Sequence, residues 1–454
     1  MISDPIFPAF PSRRGFLHSL ASGVGGLGLA SFLCSDRVIG GESHRAHFAP
    51  RAKRVIVLFM EGGPSHLDMF DPKPAIAANA GKRPGSVNIR TERTTGGLLP
   101  SPFAFAKAGQ SGIEVSDLLP HLTECVDDLC VLRGVYGSNP NHGPAANFMI
   151  SGRIDQVHPS LGAWVSYGLG TENQDLPGFV ALGSAMVNTA RNGYLPGEHQ
   201  GTPIELDQPN PDQMVRHLKN SRIDRARQER QLEFLRQSNA NHLADREDDA
   251  LLKARIRSME TAFRMQAAAP DVFDIRKEHE STRELYGEGR FARSCLLARR
   301  LIENGVRMVQ IVNSGWDHHS NISKEIRNKT REIDRPIAGL LKDLKRRGLL
   351  DDTLVIWGGE FGRTPVSENG DGRDHNPFGF TMWMAGGGVK GGVVHGATDE
   401  FGFKAVEGRV GVHDLHATIL HLLGLDHEKL TFRYSGRDFR LTDVAGNVVR
   451  EIIG

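Results

Sequence analysis

Three acidic residues stand just beyond apolar runs, at Met60-Glu61-Gly62, Gly315-Trp316-Asp317-His318-His319 and Gly359-Glu360-Phe361. Each run reads as a strand. In an open parallel sheet, ligands collect beyond the carboxyl ends of the strands. Three carboxylates crowded there cannot all stay ionised without a cation. A divalent metal answers that charge, and imidazoles extend its ligand set. His318, His319, Asp374 and His375 lie on loops adjoining the same edge. The structural alternative is that each carboxylate caps a helix and each imidazole is an ordinary surface or core group.

The elements that must carry these groups follow from the hydrophobic pattern. Arg54-Val55-Ile56-Val57-Leu58-Phe59-Met60 is β-branched, apolar and closed by Gly62-Gly63-Pro64, as a fully buried strand is. Residues Lys73 to Ser111 read as loops or a short hairpin, Leu118 to Leu129 as a helix, and Cys130 to Tyr136 as a strand. Pro144 to Ile150 suits the first turns of a helix, where proline is tolerated. Phe179 to Leu182 suits a short strand.

The C-terminal half alternates. A helix over Phe291–Asn304 ends at Gly305 and leads to a strand at Val306–Val312. Another over about Ile333–Arg347 ends at Gly348 and leads to Thr353–Trp357. Glycine is the residue a left-handed helix C-cap wants. Phe380–Ala385 is a further strand and Asp414–Leu423 a further helix. Repeated α-then-β units with apolar strands imply an α/β fold, a mostly parallel central sheet with helices on both faces.

From about 212 to 265 the chain becomes rich in Arg, Glu, Gln, Leu and Ala, with Leu232, Leu235, Leu251, Leu252, Ile256, Met259 and Phe263 at helical spacing. Acidic and basic residues interleave there, so we read a solvated helical insertion and not a nucleic-acid-binding arm. The whole chain supports that choice: 55 Lys+Arg against 54 Asp+Glu give a net charge of +1, too little field to propose nucleic acid as a partner. Four cysteines in 454 residues exclude a dense disulfide framework, and at least one of Cys125, Cys130 and Cys295 is expected to be a buried free thiol. Gly386-Gly387-Gly388 fits no phosphate-cradling pattern and reads as a tight turn. His413, His416 and His421 read as packing or surface residues of the last helix.

Ser12-Arg13-Arg14-Gly15-Phe16-Leu17 opens a Gly-rich apolar run from Leu20 to Leu33. The paired arginines and mild hydrophobicity resemble a twin-arginine export signal. The run is short for the ~20 residues of a membrane span. The expected organisation is a signal and linker over 1–45 and one domain over 46–454. The export machinery is then a partner, and the destination periplasmic or extracellular.

Leu118-Leu119-Pro120-His121-Leu122, Leu132-Arg133-Gly134-Val135-Tyr136 and His142-Gly143-Pro144-Ala145-Ala146-Asn147 through Ser151-Gly152-Arg153 together resemble a sulfatase segment. There a helix and a strand lead to the turn that bears the nucleophile. Gly-Gly-Pro-Ser-His at 62–66, Gly-Trp-Asp at 315–317, Gly-Glu-Phe-Gly-Arg-Thr-Pro at 359–365 and Gly-Arg-Asp-His at 372–375 are more specific. With the paired arginines they resemble an exported bacterial domain-of-unknown-function family within the alkaline phosphatase/sulfatase superfamily. The resemblance spans nearly the whole of residues 46–454 and implies a sulfatase-like fold with a metal site of one or two ions, Zn, Mn, Ca or Mg.

Position by position, the resemblance makes Glu61, Asp317, His319, Glu360 and His375 the metal ligands. Glu61 stands where the superfamily has Asp. The His expected four residues after Asp317 is Asn321, so His319 or His318 must substitute. Residues two apart in extended chain share a side, which favours His319. Phe361 replaces the His that should follow Glu360. Asp374-His375 is either that missing pair, or His375 alone is the late single His; we favour the second.

His142 stands where a sulfatase has the Cys or Ser that becomes its nucleophile, and Ala146 replaces the supporting arginine. Its imidazole has three chemical options: attack on phosphorus, metal ligation, or activation of water. A hydrogen-bonded structural role is the fourth. Arg363 and Asn147 are candidates for the oxygens of a tetrahedral anion, arginine because its planar fork fits phosphate or sulfate. His66 and Asp68 are secondary candidates. The expected function is metal-dependent hydrolysis of small-molecule or polymer-linked phosphate esters, ahead of sulfate esters because the sulfatase nucleophile is missing. The competing class is a non-catalytic exported binding protein for an anionic polymer or glycan.

Overall fold

The computed structural model describes residues 46–85, 94–183, 185–208, 210–215, 218, 224–244, 250–368 and 370–454. The twin-arginine segment and the rest of residues 1–45 lie outside them, as do parts of the 212–265 region. The strands that matter here, in chain order, are β1 (Arg54–Glu61), β2 (Leu129–Tyr136), β3 (Phe179–Leu182), β4 (Thr202–Ile204), β5 (Met308–Ser314) and β6 (Thr353–Gly358). They are followed by β7 (Gly362–Glu368), β8 (Gly372–Asn376), β9 (Phe380–Ala385), β10 (Val393–His395) and β11 (Val410–Gly411). The helices that matter here are α1 (His142–Ser151), α2 (Leu161–Leu169), α3 (Arg225–Ala244), α4 (Ala250–Phe273), α5 (Arg290–Glu303), α6 (Ile322–Arg346) and α7 (Val412–Leu422).

The central sheet has nine strands in the order β10-β2-β9-β6-β1-β5-β3-β4, with β11 also on β2. Every pairing is parallel except those of β9, which runs antiparallel to both β2 and β6. Strand alternation divides the core. Ile56, Leu58, Met60, Val309, Ile311 and Trp357 join the cluster under α5 and α6. Val55, Phe59, Met308, Leu354 and Ile356 join the one under α1, α2 and α7. Period-two alternation with both faces apolar is what a sheet covered on both sides requires. Trp357 and Trp383, directly paired across β6 and β9, stack at 6.1 Å and 2°.

Several boundaries differ from the sequence reading. Helix α6 begins at Ile322 and not near Ile333, because Ile322, Ile326 and Thr330 continue its buried stripe toward the N-terminus. Residues Leu122–Asp128 form a 3-10 segment where a longer helix is expected. Gly386, Gly387 and Gly388 all have positive φ, as a tight turn requires. Cys125, Cys130 and Cys295 are buried free thiols.

This topology sets up one edge. Strands β6, β1 and β5 are adjacent and parallel, with Glu61 level with Ser314 and Phe59 level with Gly358. The loops carrying Glu61, Asp317 and Glu360 therefore leave the sheet side by side. Strand β2 runs in the same direction, so its end delivers His142 there too.

Candidate metal centre

Four separate segments deliver the site residues. His142 is the first residue of α1, and Asp317 and His319 lie between β5 and α6. Glu360 follows β6, and the β7/β8 hairpin supplies Glu368, Asp374 and His375. The loops pack tightly. Gly62 has φ +114, and a Cβ there would come within 2.7 Å of the backbone of Trp316 and Asp317. Only glycine accommodates both.

Asp317 Oδ1 is the point of convergence. It lies 3.2 Å from His142 Nε2, 2.8 Å from His319 Nε2, 3.1 Å from His375 Nε2 and 2.7 Å from Arg363 Nη2. Each imidazole is held from behind by its other nitrogen. His142 Nδ1 donates to Glu360 Oε1 at 2.6 Å, His319 Nδ1 to Glu368 Oε2 at 2.5 Å, and His375 Nδ1 to the Pro140 carbonyl at 2.6 Å. A ligating histidine is held in this way, its second N–H fixed by a carboxylate or carbonyl. Among the described residues, two groups have ligand atoms close enough for one ion: His142, Asp317 and His375, and His319, Asp374 and His375. Both are capable of coordinating a divalent metal. His142 Nε2 is buried and makes no hydrogen bond of good geometry, so an ion there would satisfy it.

The electrostatics follow from the packing. Burial alone would raise the Asp317 carboxyl, but the adjoining imidazoles of His142, His319 and His375, with the Arg363 charge, hold it far below the usual carboxylate range. Burial disfavours charge on His142, yet Asp317 and Glu360 overcome it and lift the imidazole to about 9. The hydrogen bond to Asp317 raises His319 as well, whereas burial wins at His375 and lowers it. The Asp317 side chain is 43% exposed, so the centre opens to solvent on that side.

His142, Asp317, His319 and His375 come together. Glu360 touches His142 and the Gly62 N–H without belonging to either ligand group. Glu61 stands at the edge, but its carboxylate accepts from the Met186 N–H and, at 2.7 Å, from Ser314 Oγ, and it too is outside both groups. Arg363 does not offer its fork to an anion. It is fully buried, and its N–H groups donate to the carbonyls of Gly62, Gly63, Trp316 and Arg373 and to Asp317. Asn147 bonds to groups outside the centre: its Oδ1 accepts from Arg191 at 3.0 Å and its Nδ2 donates to the Ile154 carbonyl. His318 belongs to neither ligand group, and burial lowers its imidazole to about 4. Asp68 is locked to Arg373 at 2.8 Å, and His66 is buried beside Gly402.

Glu368 and the Pro140 carbonyl are absent from the sequence reading. The signal for Glu368 was the Asn369-Gly370 pair between Val366-Ser367-Glu368 and Gly372-Arg373-Asp374, a hairpin turn signature. A backbone carbonyl has no signature in the residue types.

A mostly parallel α/β sheet with imidazoles and carboxylates gathered beyond its carboxyl edge defines an α/β protein with a candidate metal centre. Residues 52–453 match the family described as protein of unknown function (DUF1501), and the chain belongs to that family. No curated protein sequence matches it. Among solved structures it is similar to the PsFucS1 sulfatase from Pseudoalteromonas sp., at 14% identity and TM-score 0.37 over 83% of this chain and 69% of that one. It is similar also to the lipoteichoic acid synthase LtaP from Listeria monocytogenes, at 10% identity and TM-score 0.34 over 91% and 80%. The alkaline phosphatase from the Antarctic bacterium TAB5 gives 11% identity and TM-score 0.34 over 82% and 98%.

Proposed function

We propose that this protein is an exported, metal-dependent hydrolase of phosphate esters, with sulfate esters ranked second. The observation that carries the reading is the set of anchored imidazoles facing Asp317 at the open carboxyl edge of the sheet. A divalent ion held by these residues would act as a Lewis acid on an ester oxygen. Glu360, Glu368 and the Pro140 carbonyl fix the tautomer and aim of the three rings. Arg363 holds Asp317 in place and, being enclosed by carbonyls, leaves the solvent-facing side of the centre to the substrate. The ranking of phosphate over sulfate rests on His142 at the position of the sulfatase Cys or Ser. Placement in the alkaline phosphatase/sulfatase superfamily rests on the motifs at 62–66, 142–153, 315–317, 359–365 and 372–375. Export rests on Ser12 to Leu33.

One observation favours the second reading, a non-catalytic binding protein for an anionic polymer or glycan. Phe361, 1% exposed, stands in place of the metal-binding His that the resemblance expects after Glu360. Purified full chain, reloaded with Zn or Mn, should release phosphate from a panel of aryl phosphate monoesters and diesters, and His319→Ala should not. Stably bound metal with no release from any phosphate or sulfate ester would sink the hydrolase, and retention on a sulfated or phosphorylated glycan array would establish the binder.

A further inference from the structure

We propose that the cavity between α2 and α4 is a second, metal-independent site, one that hydrolyses short-chain carboxylic esters. Ser166 is its nucleophile, His199 its base, and Glu198 the group that orients the base. Neither metal-ligand group includes any of the three, so this site stands apart from the function above.

The first observation is where the Ser166 hydroxyl goes. A serine or threonine within a helix often bonds the carbonyl four residues back. Ser151, Ser294 and Thr418 do so in this chain, at 2.8, 3.0 and 2.7 Å. Ser166, inside α2, instead meets His199 Nδ1 at 3.1 Å. That is the reach a nucleophile and its base require.

The second is the polarity of the pair. Glu198 and His199 share the 3-10 turn Gly197–His199 that precedes β4. Glu198 Oε1 stands 3.9 Å from His199 Nε2, the other ring nitrogen. A carboxylate there favours the proton on Nε2 and leaves the Nδ1 lone pair to accept from the Ser166 O–H. Burial raises the Glu198 carboxyl, and Arg257 at 3.3 Å opposes that rise.

The third is room for a substrate. Ser166 is otherwise buried, yet with Glu198 and His199 it lines a cavity of about 270 Å³. Leu176, Val215, Leu218 and Met265 give that cavity an apolar lining, which suits a short acyl chain. Gly178 keeps the approach open: a Cβ there would lie 3.3 Å from Ser166 Oγ.

The reaction balances without a metal. Ser166 Oγ bonds to the ester carbonyl carbon as its proton passes to His199 Nδ1. The C–O bond to the alcohol then breaks, and that proton leaves with the alcohol. Water next adds to the acyl carbon through the same base, and Ser166 Oγ departs with its proton restored.

The test is diisopropyl fluorophosphate on the full chain in EDTA, with the label located by peptide mass spectrometry. Attack forms an Oγ–P bond and expels fluoride, so one label per chain is expected, on Ser166. His199→Gln should slow labelling about 100-fold or more, as loss of a general base does. Gly178→Ala keeps every polar group, fills the space beside Oγ and should also slow it. No label on Ser166 would overturn the proposal, as would wild-type labelling of His199→Gln. Should that variant not fold, wild-type labelling of Gly178→Ala would overturn it instead. Turnover of p-nitrophenyl butyrate in EDTA should be lost in Ser166→Ala, and unchanged turnover there would also overturn it. Phosphate release by the metal-loaded chain is a separate readout, so either reading can fail alone.

Discussion

Glu360 Oε1 and His142 Nδ1, 218 residues apart in the chain, meet at 2.6 Å, and the same oxygen accepts the Gly62 N–H at 2.9 Å. One buried carboxylate thus ties α1 to the end of β1 and points the His142 ring at Asp317.

That relationship predicts the effect of Glu360→Gln. The amide keeps an acceptor but loses the charge that makes the ring a stronger donor, and second-shell changes of this kind cost about 10–100-fold in metal affinity. Glu368→Gln should act alike through His319. Chelator competition measures both, and unchanged affinity in both variants would remove the carboxylates from the metal's support.

Gly63 has φ +75, and a Cβ there would lie 2.6 Å from the Phe361 ring. Gly63→Ala should cost roughly 2 kcal/mol or more, from left-handed strain plus displacement of the ring beside His142 and His375. Gly348 also has positive φ but has nothing within 4 Å of its Cβ position. Gly348→Ala should therefore cost only about 1–2 kcal/mol and leave metal affinity alone. Urea unfolding and chelator competition on both variants test the contrast.

Arg373 and Asp68 form a fully buried pair at 2.8 Å that fastens β8, and so His375, to the loop after β1. Arg373→Met leaves the Asp68 charge uncompensated and should cost about 3–5 kcal/mol. Adding Asp68→Asn should recover part of that loss. A double variant no more stable than the single would show that the charge is not the cause.

His66 and His416 are both buried, and burial lowers each to about 4. The unfolded chain takes up these protons near pH 6.5, before the folded chain does, so stability is full above that pH. It should fall as pH drops from about 6.5 to about 4, by roughly 3 kcal/mol for each residue. Urea midpoints between pH 7 and pH 4.5 measure the slope, which His416→Gln should make shallower. An unchanged slope in that variant would mean that His416 does not titrate in this window.

Much of the scaffold is legible in one dimension. Strand β1, β3, the β6 strand and β9 coincide with apolar, β-branched runs, because a strand covered on both faces can carry little else. The antiparallel direction of β9 is not legible, since a buried strand has the same composition in either direction. The start of α6 was hidden because its first turns bury only one narrow stripe among charges.

At the site, the sequence by itself determined which residue types arrive at the sheet edge, since Glu61, Asp317 and Glu360 stand at or within three residues of the ends of apolar core strands. Only the tertiary structure decided among them. Glu61 accepts from the Met186 N–H and Ser314 Oγ, and Arg363 donates to four carbonyls and Asp317, while Glu368 and a proline carbonyl turn the rings of His319 and His375. Ligation depends on lone pairs meeting within a few tenths of an ångström. That convergence is set by side-chain partners brought from distant loops, and residue type and spacing carry no record of which partner each nitrogen will find.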